Sequence, residues 1–483
     1  MLVRFAVSQG WPSGWMGCNL PSAGRVCSSE VDQAMDKVRA GYTIADAARQ
    51  RGVAPIVVAF AALVLCLGST VAEAARLSNI VDAPAPDWVL ALKPGTWAEV
   101  GVNTLSDVDP AKDPAVNPSY PSAPPWRGAA GQKAVVNAWN GGAFAANLGR
   151  LGSLVTFGGG HNDYFGNEVY AFDLEKLRWS RVTDPFSAPR DTLTGFYEHA
   201  EFADGSPLPP HTYDYVDYHP GTNSFVVLKG VQQLGVSGGS SSGSPAHLLN
   251  FGDLKWRRSP PSAAPYGSSG WSAYDSLRDV FWINPPAYTP AAGFRFFDPN
   301  GANADGSVGR WSEAVGPRKQ GGGDGMATYD PHNDIIVYTD FKKVPAKAFG
   351  VDLKRPGEPS VPLSLVGSPP QLDTGHGWEW SDLRQSFIYW PRTAGADVHE
   401  LRLRGADWRR GPWAWSSLTS RDNAVVPQSM TAANGVFSRF RVVRFSNAEI
   451  AVVVNRVDGP VYAFRVPDNA AARPSAPAVR VGR

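Results

Sequence analysis

Cysteine is almost absent from this sequence. The three cysteines are Cys18, Cys27 and Cys66, and none occurs in the rest of the 483 residues. The chain after Cys66 therefore carries no disulfide framework, no zinc site built from thiolates and no cysteine nucleophile.

An excess of charge of either sign is also missing. The 45 lysines and arginines balance 44 aspartates and glutamates, which leaves a formal net charge of +1. A chain this close to neutrality has no strong field that would attract nucleic acid or an anionic membrane surface. We therefore expect neither of them as a partner.

Long apolar runs are missing as well, with one exception near the amino end. Residues 56–68 (IVVAFAALVLCLG) are uncharged, follow Arg49 and Arg51, and precede the small-residue pattern AEA at 72–74. A charged flank, a short apolar core and such a cleavage pattern predict a secretory signal peptide at 53–75. A membrane span needs about 20 apolar residues. We expect a secreted or periplasmic protein without a stable membrane span after cleavage, and an uncleaved anchor helix is the alternative.

The segments on either side of this signal are expected to lie outside the folded body. Residues 1–34 show no periodicity, and we expect 1–52 to be a poorly ordered extension or the result of a chain start placed too far upstream. Residues 76–92 contain the sequence APAP, which favours a stiff linker. Residues 468–483 are expected to form a disordered tail, so the folded body is predicted to span 93–467.

What the sequence does have is aromatic residues and turn formers. It contains 17 Trp, 15 Tyr and 22 Phe, together with 50 Gly and 41 Pro. Aromatic side chains favour strands, whereas Gly and Pro favour turns and weaken helices. The composition predicts an all-β protein with many short strands.

The predicted strands recur in sets of four. Five sets span residues 136–182, 213–258, 271–314, 326–366 and 378–417, and a sixth at 437–466 has only three strands. The first strand of set one is predicted at 136–146, and the fourth strand of set four at 361–366. In several sets the first strand ends in an aromatic residue and the fourth opens with a tryptophan. A period of about 50 residues with four strands is typical of kelch-type propeller blades.

The incomplete sixth set has a candidate partner near the start of the body. Residues 95–100 (GTWAEV) look like a fourth strand that belongs to no set of its own. Pairing this strand with the last three would close the ring and remove two exposed sheet edges. The sequence thus predicts an all-β propeller of six four-stranded antiparallel blades closed by an N-terminal strand, with seven blades as the alternative.

The first set resembles a known family. Gly158-Gly159, Tyr170 and Trp179 match the kelch pattern of a double glycine followed by Tyr and then Trp. The chain is similar to the kelch and galactose-oxidase-like propeller superfamily, and more narrowly to exported bacterial kelch-domain proteins of unassigned activity. The copper-radical oxidases of that superfamily use a tyrosine cross-linked to a cysteine, and this body has no cysteine. The resemblance therefore implies a fold that hosts many unrelated activities, and copper-radical oxidation is not among those expected here.

The loop after the double glycine holds the first candidate ligand residues. His161, Asp163 and Tyr164 lie between the second and third strands of set one. In propellers this loop shares a face with the connections between blades, and that face, with the mouth of the central channel, is the usual ligand site. The structural alternative is a plain turn in which Asp163 accepts hydrogen bonds from the backbone.

Further polar and aromatic residues are expected on the same face. They are Glu198, His199, His211, Trp271, Asp324, His376, Trp378 and Arg392. This composition suits a sugar, because aromatic faces stack on sugar rings while carboxylates and arginine bind hydroxyl groups. Packing between blades is the alternative role of the two tryptophans. Imidazoles are good ligands for divalent metals, but the four histidines at 161, 199, 211 and 376 follow no recognised spacing. No cofactor is predicted, and a divalent-metal site formed by these histidines is the alternative.

Three classes of function remain open at the level of sequence. The leading interpretation is a monomeric binding module for a glycan or a protein. One alternative is a carbohydrate-active enzyme (a lyase, an epimerase or a hydrolase) with a His/Asp/Glu site on the same face. A hydrolase would need two carboxylates facing one glycosidic bond. The other alternative is a structural scaffold of the cell envelope.

Overall fold

The computed structural model of the chain covers most of the predicted body. It describes residues 79–160, 163–186, 202, 204–228, 245–262, 270–285, 293–320, 325–339, 347–370, 372–393, 395–430 and 434–468. The predicted extension and signal peptide, within 1–78, and nearly all of the predicted tail, 469–483, lie outside the described residues.

The described strands form six sheets arranged as a six-bladed β-propeller, and in blades 1 to 4 the strands follow one another in chain order from the channel outward. Blade 1 contains β2 (Gly142–Ala145), β3 (Ser153–Thr156), β4 (Tyr170–Asp173) and β5 (Arg178–Arg181). Blade 2 contains β6 (Val216–His219), β7 (Ser224–Val227), β8 (His247–Asn250) and β9 (Lys255–Arg258). Blade 3 contains β10 (Trp271–Asp275), β11 (Val280–Asn284), β12 (Arg295–Ala302) and β13 (Val308–Trp311).

Blade 4 follows the same order, blade 5 has one short strand added, and blade 6 takes its outermost strand from the start of the chain. Blade 4 contains β14 (Met326–Asp330), β15 (Ile335–Thr339), β16 (Ala348–Asp352) and β17 (Val361–Pro362). Blade 5 contains β19 (Gly377–Ser381), β20 (Ser386–Trp390), β21 (His399–Leu403) and β22 (Trp413–Ser417), with β18 (Leu365–Val366) outermost. Blade 6 contains β23 (Arg441–Phe445), β24 (Ala448–Val454), β25 (Val461–Arg465) and β1 (Trp97–Val100). Six blades are confirmed, and the alternative of seven is wrong.

The N-terminal strand closes the ring as the sequence predicts. Strand β1 pairs antiparallel with β25, with Trp97 opposite Phe464 and Glu99 opposite Tyr462. The Trp97 ring also lies 5.3 Å from the ring of Trp390 in blade 5, and its Nε1 donates to the Ala396 carbonyl at 2.9 Å. The closing strand is therefore fixed to both of the last two blades.

Side chains fill the central channel. Arg441, at the start of β23, donates to Glu379 of blade 5 at 2.8 Å and to the Gly142 carbonyl of blade 1 at 2.7 Å. Asp214 of blade 2 accepts from the Ala327 amide of blade 4 at 3.1 Å. These bonds satisfy backbone groups on the free inner edges of the blades, which would otherwise be buried without partners. Burial raises the pKa of Glu379 to about 7, with the positive charge of Arg441 acting in the opposite direction.

A repeated turn links the first and second strands of blades 2, 3 and 4. In each blade a tyrosine hydroxyl at the end of the first strand donates to a side chain five residues later. The pairs are Tyr218–Asn223 at 2.8 Å, Tyr274–Asp279 at 2.6 Å and Tyr329–Asp334 at 3.0 Å. The acceptors have φ values of +48°, +59° and +56°, and Asn and Asp adopt this left-handed conformation more readily than most residues. This explains the aromatic residue that recurs at the ends of the first strands.

Two predicted strands need correction. The stretch 136–146 was expected as one strand, but the chain forms the short helix α2 (Ala134–Asn137) before β2 begins at Gly142. The stretch 361–366 was expected as the fourth strand of blade 4. Only Val361–Pro362 pairs there, and Leu365–Val366 runs parallel to β22 in blade 5. The physical reason is the same in both cases, because the chain is passing from one blade to the next.

The stretch before β1 packs on the propeller. Residue Ile80 forms a parallel bridge with Arg444, and Val89 in the short helix α1 (Asp87–Leu90) is fully buried. The segment expected as a linker is thus docked from residue 79 onward. Short 3-10 helices occur at Leu105–Val108, Pro110–Lys112, Gly131–Lys133 and Phe437–Arg439. Among the described residues, no helix combines the length and apolar character needed to cross a bilayer.

Candidate ligand-binding face

One face of the propeller collects most of the predicted site residues. We call it the entry face and define it by the residues that lead into the innermost strands: 138–141, 211–215, 270, 325, 372–376 and 434–440. Because neighbouring strands are antiparallel, the second strand of each blade ends where the first begins, so the β3–β4 loop lies here too. The opposite face, which carries the turns between first and second strands, is called the turn face.

The structure brings Asp163 and His211 together on the entry face. His211 Nε2 lies 3.0 Å from Asp163 Oδ2, across the boundary between blades 1 and 2. The imidazole side chain is only 3% exposed, whereas the carboxylate side chain is 37% exposed. The backbone of Asp163 is fixed as well, because its carbonyl accepts from the Ala130 amide at 2.8 Å. The histidine therefore orients a carboxylate that remains open to solvent.

Glycine allows this loop to reach the next blade. A β-carbon on Gly160 would lie 2.4 Å from the His211 amide nitrogen, and one on Gly158 would lie 2.5 Å from Asn140 Oδ1. Gly158 also has a φ of +121°, which a residue with a side chain rarely adopts. The glycines thus have a structural role, and the close approach that they permit carries Asp163 to His211.

Aromatic side chains lie between this pair and the channel mouth. The partly exposed Trp139 ring is 5.1 Å from the His211 ring, and Tyr213 lies edge-on to Phe437 of the blade 6 entry at 5.7 Å. Tyr213 and Phe437 have φ values of +47° and +48°. Such conformations are unusual for bulky residues and tend to cluster at ligand sites, where the surrounding structure enforces them.

A second polar group lies on the blade 5 part of the entry face. Asp373 Oδ1 accepts from the Arg392 amide at 3.1 Å and from the Tyr389 hydroxyl at 3.2 Å. His376 is buried, with Nδ1 2.7 Å from the Asp373 carbonyl and Nε2 2.9 Å from Thr339 Oγ1. Burial lowers the pKa of His376 to about 3, so the ring is neutral and its proton is on Nδ1. His376 therefore holds the Asp373 backbone in place.

Tyr164 points away from the face, into blade 1. Its hydroxyl donates to Glu168 Oε1 at 2.7 Å, and the Tyr170 hydroxyl donates to the same oxygen at 2.5 Å. Burial raises the pKa of Glu168 to about 7, although both phenols act to lower it. Tyr164 is 2% exposed, so it anchors the loop from within.

The two candidate tryptophans lie between blades. Trp271 is fully buried and stacks on Tyr338 of blade 4 at 4.8 Å. Trp378 of blade 5 donates from Nε1 to the Val337 carbonyl of blade 4 at 3.1 Å. Both make the packing contacts that were the alternative to ligand binding. The candidates His161, Glu198, His199 and Asp324 lie outside the described residues.

Three residues of this face were missed by sequence reasoning. Trp139 was placed inside a predicted strand, and Asp373 and Tyr389 were not singled out. Asp373 lies three residues before His376, which directly precedes an innermost strand, and this spacing was the available signal. Within the described ranges, no group of three or more His, Cys, Asp or Glu side chains is arranged to hold a metal ion.

Comparison with known proteins adds no assignment. No family model matches the chain, and no curated protein matches it.

Proposed function

We propose that this protein is an exported kelch-type propeller that binds a glycan on its entry face. The main support is the geometry at the boundary of blades 1 and 2, where the Trp139 ring lies beside His211 and His211 orients the exposed Asp163 carboxylate. Export rests on the signal-like sequence before the propeller. The kelch assignment rests on Gly158-Gly159, Tyr170 and Trp179.

An aromatic ring beside a fixed carboxylate suits a sugar. The negative face of an indole attracts the C–H groups of a sugar ring, and a carboxylate accepts strong hydrogen bonds from hydroxyl groups. Ligand sites commonly combine apolar contact area with a few placed polar groups. The partly exposed Trp139 and the 37% exposed Asp163 side chain supply one of each.

Binding is favoured over catalysis by the exposure of the two partners. A general base must reach the proton that it removes. The His211 imidazole is 3% exposed and already faces Asp163, so the group available to a ligand is the carboxylate. Among the described residues this exposed carboxylate has only the buried His211 as a partner, so it is better suited to hold a hydroxyl group than to transfer a proton.

The experiment is a glycan array with the full-length chain and three variants. We expect the wild type to retain a neutral glycan. Trp139→Ala and Asp163→Asn should weaken binding by about tenfold or more each, because each removes one principal contact. Trp380→Ala is the matched control, since it removes a partly exposed indole from the turn face.

Each other outcome has a definite meaning. Loss of binding in the control as well would show that stability, not contact, is being measured. Retention of no glycan by the wild type would contradict the proposal and leave a protein ligand as the alternative. A change in the mass of the retained glycan would support the carbohydrate-active enzyme instead.

A further inference from the structure

Among the described residues, two buried polar atoms on the blade 5 part of the entry face have no hydrogen-bond partner. Asp373 uses Oδ1 for the Arg392 amide and the Tyr389 hydroxyl, while its Oδ2 has no hydrogen-bond partner among the described residues. Arg392 uses Nη1 for Thr374 Oγ1 at 3.2 Å, while its buried Nε likewise has none in the described ranges. The two side chains belong to one cluster, because the Arg392 amide donates directly to Asp373.

An unsatisfied pair of this kind calls for an explanation. Most buried polar atoms in native proteins have a partner, and leaving one without a partner lowers stability. Here one atom is an acceptor and the other a donor. A hydroxyl group can donate and accept, so hydroxyl groups can satisfy both atoms without adding charge.

The cluster is held in position before any ligand binds. The carboxylate is oriented by two hydrogen bonds to Oδ1, and the Asp373 carbonyl faces the neutral His376 ring, whose centroid lies 4.9 Å from that of the tilted Tyr389 ring. Gly375, between these residues, packs against Phe437, which itself contacts Tyr213. The cluster is thus joined by aromatic residues to the Trp139 end of the entry face.

We propose that Asp373 and Arg392 form a second contact point for the glycan, which binds hydroxyl groups of an uncharged sugar unit. A hydroxyl donates to Asp373 Oδ2 and a hydroxyl accepts from Arg392 Nε. This inference rests on the glycan-binding function proposed above and adds the class of sugar. His376 is a positioning residue in this site.

Charged ligands fit the cluster less well. The Asp373 carboxylate would repel an acidic sugar, and the Arg392 guanidinium would repel an amino sugar. A neutral sugar avoids both penalties, and a site built to hydrogen-bond a hydroxyl strongly rejects an analogue without it.

The test uses the neutral glycan retained on the array and its deoxy analogues, titrated into the full-length chain by calorimetry. Asp373→Asn keeps the Oδ1 acceptor, and Arg392→Lys keeps the charge but removes Nε. We expect each to weaken binding by about tenfold or more, because each removes a hydrogen bond to a charged group. At least one deoxy analogue should lose affinity for the wild type but not for the corresponding variant.

A matched control comes from an exposed pair on the same side of blade 6. Arg456 donates to both carboxylate oxygens of Asp458 at 2.9 Å, so Asp458→Asn and Arg456→Lys repeat the same changes at paired atoms. These controls should bind like the wild type.

Failure of this inference is distinguishable from failure of the proposed function. If Trp139→Ala weakens binding but Asp373→Asn and Arg392→Lys do not, glycan binding stands and this cluster holds only water. If acidic glycans are retained and Asp373→Asn strengthens their binding, the uncharged-sugar assignment is wrong. If the wild type retains no glycan, both proposals are overturned.

Discussion

The packing between blades 1 and 2 requires a residue without a side chain at Gly160. An added β-carbon would lie 2.4 Å from a backbone nitrogen of blade 2. We expect Gly160→Ala to lower the free energy of unfolding by roughly 2–4 kcal/mol, because overpacking adds to the cost of a left-handed residue. Urea unfolding measures this difference.

Gly205 provides the control for backbone conformation alone. Its φ is +81°, yet an added β-carbon would meet no atom of the described residues within 4 Å. Gly205→Ala should therefore cost about 1–2 kcal/mol. Equal losses at the two glycines would show that the close approach at Gly160 contributes nothing.

A buried glutamate makes the stability of the propeller depend on pH. Glu449 of blade 6 accepts from the Ser381 hydroxyl and from the Leu383 amide of blade 5. Burial raises its pKa from 4.5 to about 7. The folded state then holds the proton more tightly than the unfolded state. The resulting stabilisation is complete below about pH 4.5 and is lost as the pH rises through 7.

Glu449→Gln should remove this dependence. At pH 8 we expect the variant to melt at a higher temperature than the wild type, with a free energy of unfolding that is larger by up to roughly 3 kcal/mol. Near pH 4.5 the two proteins should be equally stable. Glu400 is the control of opposite sign. Burial alone would raise its pKa, but Arg384 and Arg402 lower it. Glu400→Gln should destabilise the protein at pH 8, and the same sign for both variants would contradict the assignment.

Single-residue roles were predictable only where position alone decides them. His211 was found because it precedes an innermost strand, and it meets Asp163 there. Trp271 and Trp378 satisfy the same positional rule but point between blades. The sequence does not reveal this difference, because successive side chains of a strand point to opposite faces of the sheet. The repeat does not determine which of the two faces a given side chain points to.

At the level of elements, blade 4 has a fourth strand of only two residues, Val361–Pro362. Trp408, from the β21–β22 turn of blade 5, lies against Gly350 of β16. A β-carbon on Gly350 would lie 2.5 Å from the Trp408 ring. The fourth strand of blade 4 has no tryptophan of its own, and Trp408 of the neighbouring blade packs on its third strand instead.

A double-mutant cycle tests whether Trp408 of blade 5 and Gly350 of blade 4 are energetically coupled. Gly350→Ala should lower the free energy of unfolding by about 1–3 kcal/mol in the wild type because the added methyl group overlaps the Trp408 ring. In the Trp408→Ala background the same change should have almost no effect. Equal effects in both backgrounds would mean that the two residues are not coupled.

The prediction of elements succeeded where the repeat was regular. The first and second strands of blades 3 to 5 follow the aromatic and turn residues in the sequence. The errors at 136–146 and 361–366 lie where the chain changes blades. At these points the hydrophobic pattern continues, but the segment stops pairing with the strands of one blade. The local sequence does not show where the pairing changes.

At the level of the whole molecule, the six blades form a closed ring with two faces. The pairing of β1 with β25 joins the two ends of the propeller, and Arg441 links blades 1, 5 and 6 across the channel. Because these side chains cross the channel, a ligand can bind on either of the two faces of the propeller. The entry face carries Asp163, Trp139, Asp373 and Arg392, whereas the turn face carries the tyrosine-linked turns.

The most direct measurement is amide hydrogen exchange of the full-length chain with and without the glycan retained on the array. We expect slowed exchange in 137–141, 211–215 and 372–376, which belong to or adjoin the entry face. Exchange in the turns at 219–223, 275–279 and 330–334 should not change. Protection of those turns, with none on the entry face, would contradict the central claim that this propeller binds its ligand at the entry face.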